Sequence, residues 1–216
     1  ARSHDVATFL NRMQRLAKLP LLVGGDFERG ASMRLIDTTE FPHAMAFGAA
    51  GDLALTRAWG AATAREARAL GVHWVYAPVA DVNNNPDNPI INIRSFGEDP
   101  AMVSKHVQAF IEGAHSDPAS RVLVTAKHFP GHGDTATDSH IGLGVVDASR
   151  ERLERVELAP FRAAIAAGVD SVMTAHLAVP ALETGKIPAT TSPAILTGLL
   201  RGELGFKGIV STDAMD

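Results

Sequence analysis

The chain has 216 residues, 46% of them hydrophobic and 20% charged, with a formal net charge of −4 and no cysteine. That length fits one domain or a piece of a larger one, with enough apolar material for a core and no signature of disorder. The charge balance, without a basic run, argues against nucleic acid as a partner, the lack of cysteine excludes disulfides and thiolate chemistry, and no apolar run approaches the ~18 residues of a membrane span.

Residues 5–18 place apolar side chains at helical spacing, and Pro20 ends that helix. Residues 21–23 read as a short strand running into a charged loop, Gly24-Gly25-Asp26-Phe27-Glu28-Arg29-Gly30. An Ala-rich stretch, 46–70, carries charges at roughly helical spacing and predicts one helix stopped by Gly71. Residues 72–78 form the next strand, ending near Asp81. A long Asn-rich loop passes Arg94 and reaches Asp99, which with Pro100 starts a helix to residue 114. Residues 121–126 are a strand that feeds Lys127 and His128 into a loop stiffened by Pro130, Gly131 and Gly133. A helix over 149–167 ends at Gly168, and a strand over 169–174 has His176 just beyond it. Ser192 caps a helix over 192–204 with Pro193 at its first position, and the last strand, 208–211, leads to Asp213. The chain starts at Ala1 without Met and its ends look cut, which is compatible with a leader removed before Ala1 and leaves export open.

Five strands alternating with helices predict a parallel sheet with crossover helices. Each strand is followed by ionisable residues: Asp26 with Glu28, Asp81 and later Arg94, Lys127 with His128, His176, and Asp213. Charges at the C-terminal ends of successive parallel strands converge on one mouth in a (β/α) barrel. In an open doubly wound sheet they would line a crevice. The first βα turn has no G-x-G-x-x-G spacing, so a dinucleotide cradle is unsupported and the barrel is the preferred reading. Asp81, beside Asn83, Asn84 and Asn85, serves a turn as readily as a site. His73 reads as structural, and His43, His106 and His115 as surface residues. His128, His132, Asp134, Asp138, His140 and His176 could ligate a metal. The His128-x-x-x-His132 pair spans Pro130 and Gly131, however, so it is not the helical pair of zinc enzymes.

The stretch Lys127-His-Phe-Pro-Gly-His-Gly-Asp-Thr135, followed by Asp138-Ser-His140, resembles glycoside hydrolase family 3, and within it the bacterial β-N-acetylglucosaminidase (β-hexosaminidase) branch that acts on cell-wall sugars. Asp26-Phe-Glu28, Ala77-Pro-Val-Ala-Asp81, Arg94-Ser-Phe-Gly-Glu-Asp99 and Lys207-Gly-Ile-Val-Ser-Thr-Asp213 extend the likeness over most of the chain. The resemblance implies a TIM-type (β/α)8 barrel, present here as an incomplete barrel of about five strands truncated at both ends. It implies a retaining mechanism with Asp213 as nucleophile and with Asp26, Arg94, Lys127 and His128 binding sugar hydroxyls. His140, paired with Asp138, is then the general acid/base. No cofactor is implied, and the partner is an N-acetylglucosamine-containing oligosaccharide. Relatives commonly have glycine where this chain has Arg29, which makes Arg34 an additional contact.

The implied chemistry is coherent. Retaining hydrolysis needs a nucleophilic carboxylate on one face of the sugar and a proton donor on the other. Histidine can give and take a proton near neutrality, and an aspartate can orient its ring. The same site suits a phosphorylase, because a histidine repels an anionic acceptor less than a glutamate would; a β-glucosidase is a second variant. A metal-dependent hydrolase and a non-catalytic sugar-binding module complete the alternatives.

Overall fold

The computed structural model describes residues 1–136 and 142–215. In chain order it contains α1 (Ser3–Leu16), β1 (Gly24–Gly25), α2 (Ala44–Ala50), α3 (Leu53–Leu70), β2 (Trp74–Val75), α4 (Pro100–Ala114), β3 (Leu123–Phe129), β4 (Gly144–Val145), α5 (Arg150–Arg155), α6 (Ala159–Ala166), β5 (Ser171–Thr174), β6 (Leu177–Ala178), α7 (Ala194–Glu203) and β7 (Ile209–Thr212). Five of these strands form one sheet in the order β1-β2-β3-β5-β7, every neighbouring pair parallel. The order follows the chain and never reverses. A doubly wound sheet has a switch point where it does reverse, so this sheet is part of a barrel wall. All its strand C-termini open at one end. A separate parallel pair, β4 with β6, joins Gly144 to Leu177 and was not legible as strands in so short a run.

The helices cover the sheet, with α3 packed on α4 and α4 on α6. Trp59 of α3 lies at the centre of that layer. It stacks on Phe47 at 4.4 Å between ring centroids and meets Phe110 edge-on at 4.8 Å. Cutting such a buried aromatic back to alanine costs about 3–5 kcal/mol. His106 of α4 is fully enclosed here rather than on the surface. Its Nδ1 lies 2.8 Å from Thr56 Oγ1, and its ring stacks on Phe96.

Three departures from the expected elements have local causes. The first strand starts at Gly24 because Gln14 claims both backbone groups of Leu21, accepting its N–H at 2.9 Å and donating to its carbonyl at 2.8 Å. The Ala-rich helix splits where Gly51 turns left-handed (φ 65°) and Asp52 restarts it by accepting the Ala54 N–H. The helix expected over 149–167 divides before Pro160, whose ring and missing N–H start a helix but do not continue one. Helix α7 is capped as the sequence implies, with Ser192 Oγ accepting the Ile195 N–H. It winds with i→i+5 hydrogen bonds, and Gly198 and Gly202 lower the cost of leaving the α form.

Candidate active site

Lys127 sits near the end of β3, buried, with its ammonium inside the mouth of the sheet. Nζ lies 3.0 Å from Asp26 Oδ1 and 2.7 Å from Glu28 Oε1, so one cation bridges two carboxylates from the loop after β1. Arg94 grips Glu28 from the other side. Its Nε and Nη2 donate to the two carboxylate oxygens at 2.9 and 2.8 Å, the bidentate geometry that fixes both groups. Arg94 Nη1 is anchored on the Ile90 carbonyl at 3.0 Å. Burial alone would raise the Glu28 pKa. The Lys127 charge, with the Arg94 hydrogen bond and charge, overcomes burial and holds it far below the usual carboxylate range. Asp26 is completed by Arg34, whose Nη2 donates to Oδ2 at 3.0 Å.

Beside this network stands a second one. Asp81 is 0% exposed. It accepts the His132 N–H at 2.7 Å, the His128 N–H at 3.2 Å and His128 Nδ1 at 2.7 Å. Burial pushes the Asp81 pKa up; the His128 charge and hydrogen bond, and then His132, pull it down to a net lowering. The short contact makes Nδ1 the ring nitrogen that donates to Asp81. Nε2 therefore faces the mouth, 3.3 Å from Arg94 Nη2 and 4.0 Å from Asp213 Oδ2. Asp81 acts here as a clamp on His128 and on the turn that follows, and not only as a turn former.

Asp213 follows β7. Its N–H donates to the Thr174 carbonyl at 3.0 Å, which extends the sheet pairing to this residue and aims the side chain at the mouth. One carboxylate oxygen accepts the Ala214 N–H at 2.9 Å. The side chain is 16% exposed, open to ligand yet shielded from bulk water. His176 supports this corner from behind, with Nε2 2.7 Å from the Ala214 carbonyl and Nδ1 3.0 Å from Thr190 Oγ1. It is a brace for the backbone next to Asp213.

A cleft of about 340 Å³ gathers these groups. Asp26, Glu28, Arg94, Lys127, His128 and Asp213 line it, with Arg29, Met33, Arg34, His43 and Ala214 at its rim. It continues past Asp213 into a second hollow bounded by Tyr76 and Met173. The five expected sugar-site positions Asp26, Arg94, Lys127, His128 and Asp213 therefore share one cavity. Asp138 and His140 lie outside the described residues. Glu28 and Asp81, noted in the sequence among the ionisable residues after the strands, were assigned no role in the site there, and Asp81 was left open between turn and site. The signal for both was the need of Arg94, Lys127 and His128 for acceptors inside one site.

Residues 3–216 match the profile of the Glycosyl hydrolase family 3 N terminal domain. The chain belongs to this family. The β-hexosaminidase A of Pseudoalteromonas piscicida is 40% identical over 220 aligned positions, which cover 94% of this chain and 36% of that protein. The solved structure of a glycoside hydrolase family 3 β-N-acetylglucosaminidase from Paenibacillus sp. str. FPU-7 superposes with a TM-score of 0.95 at 46% identity, over 100% of this chain and 41% of that one. A β-glucoside phosphorylase, BglX, superposes with a TM-score of 0.93 at 31% identity, over 99% of this chain and 40% of that one. The chain thus spans less than half the length of each. Its curled parallel sheet is a half-barrel, an incomplete TIM-type (β/α)8 barrel.

In the loop after β1, Arg29 precedes the glycine that makes the turn. The turn is closed by the Gly30 N–H on the Phe27 carbonyl at 3.0 Å, and the left-handed position falls on Gly30 (φ 74°). The arginine side chain lies at the rim of the cleft.

Proposed function

We propose that the protein carrying this chain is a retaining glycoside hydrolase that releases terminal β-linked N-acetylglucosamine, and that residues 1–216 supply part of a barrel completed by other strands. The observation that supports this best is Asp213. Its carboxylate opens onto a cleft whose other walls are fixed donors and acceptors: Lys127 and Arg94 held by Glu28, Asp26 held by Lys127 and Arg34, and His128 held by Asp81. Sugar hydroxyls can take the place of water on such groups with little reorganisation.

In this reading Asp213 attacks the anomeric carbon, forming a glycosyl ester as the bond to the leaving oxygen breaks. His140, oriented by Asp138, gives its proton to that oxygen. It then takes a proton from the water that cleaves the ester. Lys127, Arg94, His128 and Asp26 hold the sugar through both steps. The Asp138–His140 roles rest on the resemblance and on the relatives named β-hexosaminidase and β-N-acetylglucosaminidase. The test is intact-protein mass spectrometry on quenched full-length enzyme with an aryl N-acetylglucosaminide. A sugar adduct on the peptide bearing Asp213, absent from Asp213→Asn, is the expected result. An inverted anomer as first product would overturn the assignment, and faster turnover of the matching glucoside would move the substrate class.

One observation favours a second reading. Among the described residues Arg29 donates no side-chain hydrogen bond and forms no ion pair, although it lines the cleft. An unpaired guanidinium there suits an anionic acceptor such as inorganic phosphate. Release of sugar 1-phosphate in phosphate buffer, measured beside free sugar, separates phosphorolysis from hydrolysis.

A further inference from the structure

The proposed mechanism leaves one buried acid unused. Glu157, at the junction of α5 and α6, is 2% exposed. Its Oε1 accepts from Asn84 Nδ2 at 3.1 Å and from Arg152 Nη2 at 3.0 Å. Its Oε2 is buried and, among the described residues, accepts no hydrogen bond. Burial lifts its carboxyl pKa above the ordinary value, against the pull of Arg152 and Asn84. For packing alone, an apolar side chain of similar size would serve better than a half-satisfied acid.

Its neighbours indicate what it is for. The turn after β3 contains Gly131 and Gly133. A Cβ on Gly131 would lie 2.7 Å from the Glu157 Cβ, and one on Gly133 would lie 1.7 Å from the Val82 carbonyl oxygen. The turn is pressed between Glu157 on one side and the loop after β2 on the other, and only glycine permits so close an approach. The two groups held by Glu157 Oε1 reach the same turn. Arg152 Nη2 lies 3.5 Å from Asp134 Oδ2. Asn84 is followed by Asn85, whose Nδ2 donates to the Asp134 carbonyl at 3.2 Å. Asp134 is thus tied through its side chain and its backbone, four positions before Asp138 in the chain.

We propose that Glu157 is a positioning residue for proton transfer: through Arg152 and Asn84 it fixes the turn over residues 131–135, and so the point from which the segment bearing Asp138 and His140 departs. Glu157 touches no substrate. This inference rests on the reading of His140 as proton donor. Loosening the turn leaves the sugar grip and Asp213 in place, because Asp26, Lys127 and Arg94 are fixed by bonds outside the turn, and Asp81, which also holds the His132 N–H, keeps the His128 N–H and Nδ1. It degrades the one step that needs the donor within hydrogen-bond reach of the leaving oxygen.

The test uses the full-length enzyme and two substrates, an N-acetylglucosaminide with an activated aryl leaving group and one with an unactivated sugar leaving group. His140→Ala is the reference. For Glu157→Ala, kcat on the unactivated substrate falls about ten- to hundredfold, in line with the cost of a misplaced catalytic group. On the activated substrate it falls less than about threefold, with KM unchanged on both. Equal losses on the two substrates, or no loss on either, would overturn the positioning role. If His140→Ala discriminates between the substrates and Glu157→Ala does not, only the inference about Glu157 fails. If His140→Ala does not discriminate, the proton-donor reading fails and takes this inference with it. Should Glu157→Ala not fold, Asn85→Ala, which removes the tie to the Asp134 carbonyl and the acceptor for the Asp87 N–H, must show the same selective loss on the unactivated substrate; equal losses on both would overturn the proposal.

Discussion

Asp170 and Glu28 lie at opposite ends of the same parallel sheet, and each is a carboxylate largely withdrawn from water among basic groups. Asp170, just before β5, accepts from His115 Nε2 at 2.8 Å, from Arg121 Nη2 at 2.9 Å and from the Val124 N–H at 3.0 Å. It ties three neighbouring pieces of chain together, and each of its partners serves that one acid. At the other end the bonds are shared. Lys127 bridges Asp26 and Glu28, Arg94 reaches both Glu28 and His128, and His128 Nε2 stops 4.0 Å short of Asp213. A cluster of charges therefore does not by itself mark a site. What separates the two ends is a carboxylate that opens to a cleft and, among the described residues, is left short of side-chain cations. His115, read from the sequence as a surface residue, belongs to the closed end.

The sharpest way to break this comparison is to remove one acid from each end. Asp213→Asn should lower turnover by about four orders of magnitude or more, the scale expected for loss of a covalent nucleophile. Its thermal midpoint should stay within a few degrees of the parent. Residual turnover above about one per cent of the parent, with contaminating wild-type enzyme excluded, would deny Asp213 the nucleophile's role.

Lys127→Met comes next, because it should damage both properties at once. The cation that holds Glu28 ionised disappears, and breaking such a buried pair costs roughly 3–5 kcal/mol. Sugar binding should weaken as well, so kcat/KM falls even at temperatures where the variant is folded. Denaturant unfolding and steady-state rates on the same preparation measure the two effects. A variant as stable as the parent would mean that Glu28 takes up a proton at no cost.

Asp170→Asn should act on stability alone. Loss of a charged acceptor for His115 and Arg121 should cost about 1–3 kcal/mol, with kcat per folded molecule unchanged. The sign with pH follows from its lowered pKa. Burial would raise it, but the His115 and backbone hydrogen bonds and the charges of His115 and Arg121 hold it down. The stability it contributes is full above the ordinary aspartate pKa and is lost as pH falls through the folded value. The Asp170→Asn protein should therefore lose less stability than the parent below about pH 4.

How much of this was legible in the sequence depends on range. Apolar runs alternating with helical stretches read directly as a parallel sheet, because backbone pattern and turn residues are local information. Charges just past each run read as one mouth, since all parallel strands end on the same side. Pairing was not legible. Glu28 meets Arg94 across 66 positions and Asp26 meets Lys127 across 101. No local pattern says which acid a given lysine will face. Asp81 was hidden for the same reason, as three asparagines nearby offered it a plausible turn to cap. The Ala-rich helix could not be divided in advance, because an isolated glycine such as Gly51 inside a helical pattern is tolerated.

The smallest predicted effect places a third region, the helical layer, between these two ends. His106 is enclosed between α3 and α4, and burial lowers its pKa. The folded protein therefore resists protonating it while the unfolded chain takes up a proton near the ordinary pKa of about 6.5. Its contribution is full above that value and is lost as pH falls below it. His132, beside the cleft, is lowered too, by burial against the attraction of Asp81, and adds in the same sense. Stability should thus drop in two stages on acidification, the histidines first and Asp170 later. His106→Gln should flatten the first stage, by at most about 1.4 kcal/mol per pH unit, and leave the second untouched. Urea midpoints for parent and variant at pH 7.5 and 5.5 measure this. A first stage of unchanged depth would mean that His106 is not held neutral against α3, and that the early loss belongs to the cleft.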